Sequence, residues 1–124
     1  MINKELRIGN WVKAPLGEIM QVKILGHQEN PDYILAECKE GFGQNGFEGI
    51  ELTPEILEKC GWVKSDDYWV RTWGTNGAEF LEWDEYYQSF KLQLGKGRSI
   101  VIKSLHQLQN VFWCLCGEEL NYQP

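Results

Sequence analysis

The chain has 124 residues, of which 24% are charged and 43% hydrophobic, a balance typical of a globular protein rather than a disordered one. Its longest apolar run, residues 111–116, is far shorter than the roughly 20 residues that a membrane-spanning helix needs. Eighteen acidic against twelve basic side chains leave a net charge of −6, which disfavours direct nucleic-acid binding because that binding depends on clustered Lys and Arg. We expect a single domain over residues 1–124, with no membrane contact and, in the absence of a recognisable secretion signal, a cytoplasmic location.

The first third of the chain is predicted to form β structure. Met20, Val22 and Ile24 alternate with polar residues, which is the pattern of a strand with one buried face. Its expected partner is the segment 33–38, after a loop of turn-forming residues at 27–32. Residues 41–46 match G-x-G-x-x-G, but no helix opens at the third glycine, so we predict a glycine loop with positive φ and no dinucleotide site.

Two short helices are predicted from their end signals. Thr53 is a good N-cap, Pro54 suits the first helical position, and Gly61 provides the left-handed residue that ends the helix. Ser104 and Gln107 form a capping-box pattern at the start of the second helix, which reaches Gly117. Helical periodicity predicts a buried face for this second helix that consists of Leu105, Leu108, Val111, Phe112, Leu115 and Cys116.

Between these helices the strand pattern returns. Four strands are expected near residues 68–73, 80–83, 90–94 and 100–102, with turns at 74–77 and 95–98. The segment 95–99 combines glycines and bases but lacks the spacing of a phosphate-binding loop. Together these elements predict an α+β fold: one mostly antiparallel, twisted sheet of six or seven strands packed by two short helices, with an SH3-like half-barrel as a candidate form of the N-terminal part.

No metal, cofactor or catalytic site is predicted. The four cysteines are expected to be reduced thiols, and Cys114 and Cys116 point in different directions on a helix, so they cannot hold one ion together. His27 and His106 are the two histidines, and neither has an evident nucleophile nearby in the sequence.

One flank of the second helix is the predicted binding surface. The residues of this flank are His106, Gln109, Asn110 and Trp113. Tryptophan is common among interface hot spots, and polar neighbours can fix the orientation of a partner. The alternative is that Trp113 covers the end of the sheet while the amides of Gln109 and Asn110 satisfy backbone groups.

A second segment mixes acids with aromatic rings. Its members are Glu79, Phe80, Glu82, Trp83, Asp84, Glu85, Tyr86 and Tyr87. A solvated edge hairpin is the favoured interpretation. The alternatives are a paired-carboxylate hydrolase site, a divalent-metal site and a surface for a basic partner.

Several blocks of the sequence together show a resemblance. They are residues 6–12 (LRIGNWV), 52–57 (LTPEIL), 106–110 (HQLQN) and 117–120 (GEEL). They resemble a group of small uncharacterised proteins encoded by phages, prophages and mobile elements of gut anaerobes. The resemblance implies a single-domain layout and that genomic setting, and it implies no catalytic or ligand residues.

These observations favour a non-enzymatic interaction or accessory protein of a phage or mobile element, with a protein partner. An alternative is an acidic decoy that mimics nucleic acid and inhibits a host protein, because residues 51–95 have nine acidic and four basic side chains. A small hydrolase is the second alternative.

Overall fold

The structure, a computed structural model, describes residues 6–26, 34–38, 41–44, 47–75 and 77–124. The chain divides into two compact units, one formed by Met1–Glu51 with Ser104–Asn110 and the other by Leu52–Lys103 with Val111–Pro124. The α+β class is confirmed, with mainly antiparallel sheet and two helices. The single-domain layout and the SH3-like half-barrel stay predictions.

The first unit contains a five-stranded antiparallel sheet in the order β4-β3-β2-β1-β5. Its strands are β1 (Trp11–Lys13), β2 (Ile19–Leu25), β3 (Ile34–Cys38), β4 (Gly41–Gln44) and β5 (Glu48–Gly49). The predicted alternation in β2 places Met20 and Val22 in the core. Ile24 is exposed instead, because a bulge between Val22 and Ile24 shifts the register by one residue and turns the next side chain outward.

The predicted glycine loop at 41–46 is wrong where the structure describes it. Residues 41–44 form strand β4, which pairs with β3. Gly43 does not need positive φ, and a Cβ there would lie 3.4 Å from the sulfur of Met20, an ordinary contact, so strand β4 does not require glycine at this position. Residues 45 and 46, and the loop predicted at 27–32, lie outside the described residues.

The second unit contains another five-stranded antiparallel sheet, in the order β10-β9-β8-β7-β6. Its strands are β6 (Val63–Ser65), β7 (Tyr68–Trp73), β8 (Gly77–Asp84), β9 (Ser89–Gly95) and β10 (Arg98–Ile102). The prediction of one sheet is therefore corrected to two. Short strands such as β4, β5 and β6 escaped notice because glycines and charged residues hide the period-2 pattern.

The two faces of the second sheet differ. Trp69, Leu81 and Leu92 are paired neighbours on one face and are buried. Arg71 lies on the same face, where its guanidinium is 5.7 Å from the Phe112 ring and its Nε donates to the carbonyl of Cys60 at 3.2 Å. The other face, which we call the open face, bears exposed apolar side chains at Val63, Tyr68, Phe80 and Val101.

Helix α1 (Pro54–Lys59) has the predicted ends. The backbone N–H of Ile56 donates to the Thr53 hydroxyl at 3.2 Å. Gly61 has a φ of 86°, and the N–H of Trp62 donates to the carbonyl of Leu57 at 3.0 Å. These bonds form a Schellman stop, so the local signals alone position this helix.

Helix α2 (Leu105–Cys116) also matches its predicted span, with Gly117 at a φ of 70°. Its first six residues belong to the first unit and its last six to the second. Leu105, Leu108 and Phe112 are buried as predicted, but Leu115 is exposed. The buried arc is turned toward Gln109, because that amide has partners in the interior of the first unit. Neither helix is long and apolar enough to cross a membrane among the described residues.

Candidate functional site

His106 is an interior residue of the first unit. Its side chain is 2% exposed, and Nδ1 lies 3.1 Å from the Ser104 hydroxyl, which is itself buried. A Cβ added at Gly49 of strand β5 would approach both His106 Cε1 and Ser104 Cβ to 3.0 Å. The absence of a side chain at position 49 therefore lets the strand pack directly on the imidazole. Both members of the Ser–His pair are thus buried beside this strand.

Gln109 is also 2% exposed and binds the loop that precedes β1. Its Oε1 accepts a bond from the backbone N–H of Trp11 at 2.9 Å, and its Nε2 donates to the carbonyl of Gly9 at 3.3 Å. A single amide thus satisfies a donor and an acceptor of the main chain, which would be costly to leave unpaired in the interior.

Asn110 extends this polar cluster. Its Oδ1 accepts bonds from Asn10 Nδ2 at 2.9 Å and from Arg7 Nε at 3.1 Å. Asn10 is fully buried, and its own Oδ1 accepts the backbone N–H of Arg7 at 2.7 Å. Hydrogen bonds from side-chain amides and from the Arg7 guanidinium therefore join this loop to the first half of α2.

Of the four residues predicted to bind a partner, Gln109 and Asn110 of α2 both bind the loop before β1, and His106 is buried in the same unit. The Gln109 amide satisfies backbone groups of the loop, as the alternative interpretation expected, whereas Asn110 accepts bonds from the side chains of Asn10 and Arg7. Trp113 lies in the second unit and is 44% exposed, so its ring is accessible to a partner. A binding role for the four residues stays a prediction.

The cysteines are free thiols in different settings. Cys60 is buried, and desolvation raises the pKa of its thiol to about 12 against the lowering effect of Arg71. Desolvation, with Glu79 and Glu118 adding to it, raises the pKa of Cys116 to about 11. Cys114 is exposed. Among the described residues no group of three or more His, Cys, Asp or Glu side chains could hold a metal ion.

The acids of strand β8 are engaged with neighbouring side chains. Glu79 accepts a bond from the indole Nε1 of Trp73 at 3.0 Å, and Glu82 accepts one from the Gln93 amide at 3.1 Å. Alternation along the strand places Glu79 and Glu82 on opposite faces of the sheet. These two carboxylates therefore cannot act as a pair across one cleft, as a hydrolase of that type requires.

The turn between β8 and β9 is an ordered aromatic tip. Tyr86 is 87% exposed and Tyr87 is 60% exposed, and their rings meet edge to face with centroids 4.9 Å apart. The backbone N–H of Tyr87 donates to Asp84 Oδ1 at 3.0 Å, and Lys91 Nζ lies 3.1 Å from Asp84 Oδ2. The Tyr87 bond is the main cause that lowers the pKa of the Asp84 carboxyl, with Lys91 contributing. The charged carboxylate thus orders the turn.

The β6–β7 turn was not identified from the sequence as a functional candidate, and of the open face only Phe80 was, as part of the segment that mixes acids with aromatic rings. Tyr68 and Phe80 on this face are exposed and meet edge to face at 6.4 Å. The alternation of Tyr68 and Val70 on one strand, and of Phe80 and Glu82 on the next, was the available signal. It became informative only once the pairing of β7 with β8 was known.

Comparisons with family models, with curated proteins and with solved structures find no match to this chain.

Proposed function

We propose that this chain is a non-enzymatic interaction or accessory protein that binds a protein partner through exposed aromatic side chains of its second unit. The observation that carries the proposal is the Tyr86–Tyr87 pair at the β8–β9 turn. Tyrosine provides a large contact area at a low cost in side-chain entropy, which makes it a frequent anchor in protein interfaces.

The order of the turn supports this role. Beyond the Asp84 bond described above, Gln88 Nε2 donates to the carbonyl of Glu85 at 2.7 Å. Gln88 has a φ of 50°, a backbone conformation uncommon for a residue with a side chain. A turn fixed before binding loses little conformational freedom when a partner docks, and this favours affinity.

The open face supplies adjoining apolar surface. Tyr68 and Phe80 are exposed and in contact there, and Val101 is exposed on the same face beyond Glu82 and Lys91, whereas Trp69, Leu81 and Leu92 on the opposite face are buried. Exposed aromatic and aliphatic side chains gathered on one sheet face are typical of a protein interaction site. Trp113, the exposed member of the predicted flank, is a separate candidate contact in the same unit.

The wider setting of the proposal comes from the sequence. The resemblance to phage, prophage and mobile-element proteins supports an origin in such an element. The net charge of −6 supports a protein partner over nucleic acid. The acidic-decoy alternative has no support from strand β8, because its carboxylates Glu79, Glu82 and Asp84 are bonded to neighbouring side chains.

The test is an affinity capture from host lysate with the full chain. We expect the wild type to retain a specific protein that a Tyr86→Ser, Tyr87→Ser double variant loses, since serine removes both rings but keeps a polar turn. A Trp113→Ala, Gln109→Ala variant serves as the comparison for the predicted flank. Retention of the same proteins by the double-tyrosine variant would contradict the proposal. Capture that disappears at high salt and is unaffected by the loss of both rings would favour the decoy.

A further inference from the structure

We infer that the aromatic tip of the second unit recognises a Lys- or Arg-rich segment of its protein partner. The inference rests on the proposed function and specifies the chemistry of the partner. It depends on which side chains the antiparallel topology gathers at one end of the second sheet.

The β6–β7 and β8–β9 turns lie side by side at that end. Strands β7 and β8 are paired, with Tyr68 opposite Glu82, so the turn before β7 is next to the turn after β8. We call this region the acidic-aromatic end; it consists of Asp66, Asp67, Tyr68, Asp84, Glu85, Tyr86 and Tyr87. The opposite end of the sheet bears the turn between β9 and β10, with Lys96 and Arg98.

The charges at the acidic-aromatic end are not all used within the chain. Lys91 pairs with Asp84, whereas Asp66 and Asp67 are exposed and form no ion pair with a described residue. Glu85 is exposed too, and the amide of Gln88 is its bonded partner at 3.2 Å. Three carboxylates thus remain available to a cation that approaches the tyrosine rings.

Aromatic faces and carboxylates attract the same kind of ligand. A guanidinium or ammonium group is drawn to the negative face of a tyrosine ring, and a nearby carboxylate adds a charge-assisted hydrogen bond. A phosphate-bearing or acidic partner would be repelled here. Charge complementarity therefore selects a basic protein segment as the occupant of this surface.

An independent observation points to a ligand at the base of the same turn. Ser89 is 7% exposed, and its hydroxyl has no hydrogen-bond partner among the described residues. It lies directly opposite Asp84 across the β8–β9 pair, and therefore on the same sheet face. Buried hydroxyl groups are normally bonded, so the unsatisfied oxygen beside Asp84 indicates that a donor is missing at the base of this turn.

The inference is tested by fluorescence anisotropy with the full chain and a short fluorescein-labelled peptide in which arginine alternates with serine. A peptide with glutamate in place of arginine is the control. We expect the arginine peptide to bind and the glutamate peptide not to bind. The double variant Tyr86→Ser, Tyr87→Ser should weaken binding of the arginine peptide about ten-fold. The double variant Tyr86→Phe, Tyr87→Phe should retain this binding, because it keeps both ring faces.

A charge-matched pair of variants separates local recognition from attraction by the overall negative charge. The first double variant is Asp66→Asn, Asp67→Asn, and the second is Glu58→Gln, Glu118→Gln. Each removes two exposed carboxylates from the second unit. We expect about a five-fold loss of affinity in the first and little change in the second. Ser89→Ala is expected to weaken binding a few-fold without lowering the stability of the fold, because it removes an unpaired hydroxyl.

Equal losses in the two charge-removal variants, or binding of the glutamate peptide, would overturn the inference. So would unchanged affinity after both tyrosines are replaced. The proposed function would still stand after such results if the double-tyrosine variant loses its partner in the lysate capture. Failure of the inference is thereby distinguished from failure of the proposed function, which the lysate experiment alone decides.

Discussion

At the scale of single residues, side-chain volume decides what the interior of the first unit tolerates. His106 is packed against the main chain of Gly49, and a methyl group at position 49 would approach the imidazole to 3.0 Å. Ser104 Cβ would be equally close, so both neighbours would have to shift by a few tenths of an ångström to admit the methyl group. The glycine is required here by close approach rather than by its backbone freedom.

The substitution Gly49→Ala is therefore expected to lower the free energy of unfolding by about 1 to 3 kcal/mol through overpacking. Gly43→Ala is the matched control, because its added Cβ would find the nearest atom at 3.4 Å, an ordinary contact. Urea unfolding followed by circular dichroism measures both. Equal free energies for the two variants would show that the approach to His106 is not restrictive.

The reactivity of each cysteine thiol also depends on its own surroundings. In alkylation of the folded protein at pH 8 we expect Cys114, which is exposed, to react first and Cys60 last. The pKa of about 12 at Cys60 leaves almost no thiolate until the pH approaches that value, and burial hinders the reagent as well. Peptide mass spectrometry over time reads out each thiol. Equal rates at Cys60 and Cys114 would contradict the structure.

At the scale of elements, apolar side chains of both halves of α2 are buried, but the two halves differ in their further contacts. The first half is held by amide hydrogen bonds to the loop before β1, through Gln109 and Asn110. The second half is held by ring packing, since Phe112 meets Trp62 edge to face at 6.3 Å. Polar anchoring fixes the rotation of the helix, and apolar packing contributes most of the free energy.

Gln109→Ala should accordingly cost about 1 to 3 kcal/mol, because the N–H of Trp11 and the carbonyl of Gly9 lose their partner. Gln123→Ala, an exposed residue whose hydrogen bond uses the backbone, is the control and should be neutral. Urea unfolding provides the comparison. A neutral Gln109→Ala would mean that water replaces the amide without loss.

At the scale of the whole molecule, α2 is one continuous helix that contributes to both compact units. A helix this short cannot easily lose one half while the other stays ordered, since helix formation is cooperative. This continuity is a physical reason to expect the chain to unfold as one cooperative body.

Phe112→Ala tests that expectation. Removal of a ring that is 2% exposed should cost about 3 to 5 kcal/mol. If the chain is cooperative, hydrogen exchange should rise in β1 to β3 of the first unit as well as in β7 to β9 of the second. A rise confined to residues 52–103 would show instead that the two units unfold independently.

The sequence by itself determined the features that depend on near neighbours along the chain. The ends of α1 follow from Thr53, Pro54 and Gly61, because capping bonds join residues only a few positions apart. The same holds for the Lys96–Gly97 hairpin turn, where both residues have positive φ. The α+β class followed from the same local periodicities.

Only the tertiary structure decided which polar residues are buried and which turns meet. The amide of Gln109 is turned inward by Trp11, its partner 98 positions away, and no local pattern specifies a contact of that range. The β6–β7 and β8–β9 turns become neighbours through the pairing of β7 with β8. Burial and adjacency are properties of the packed chain, because hydrophobic periodicity identifies an apolar face without specifying what will cover it.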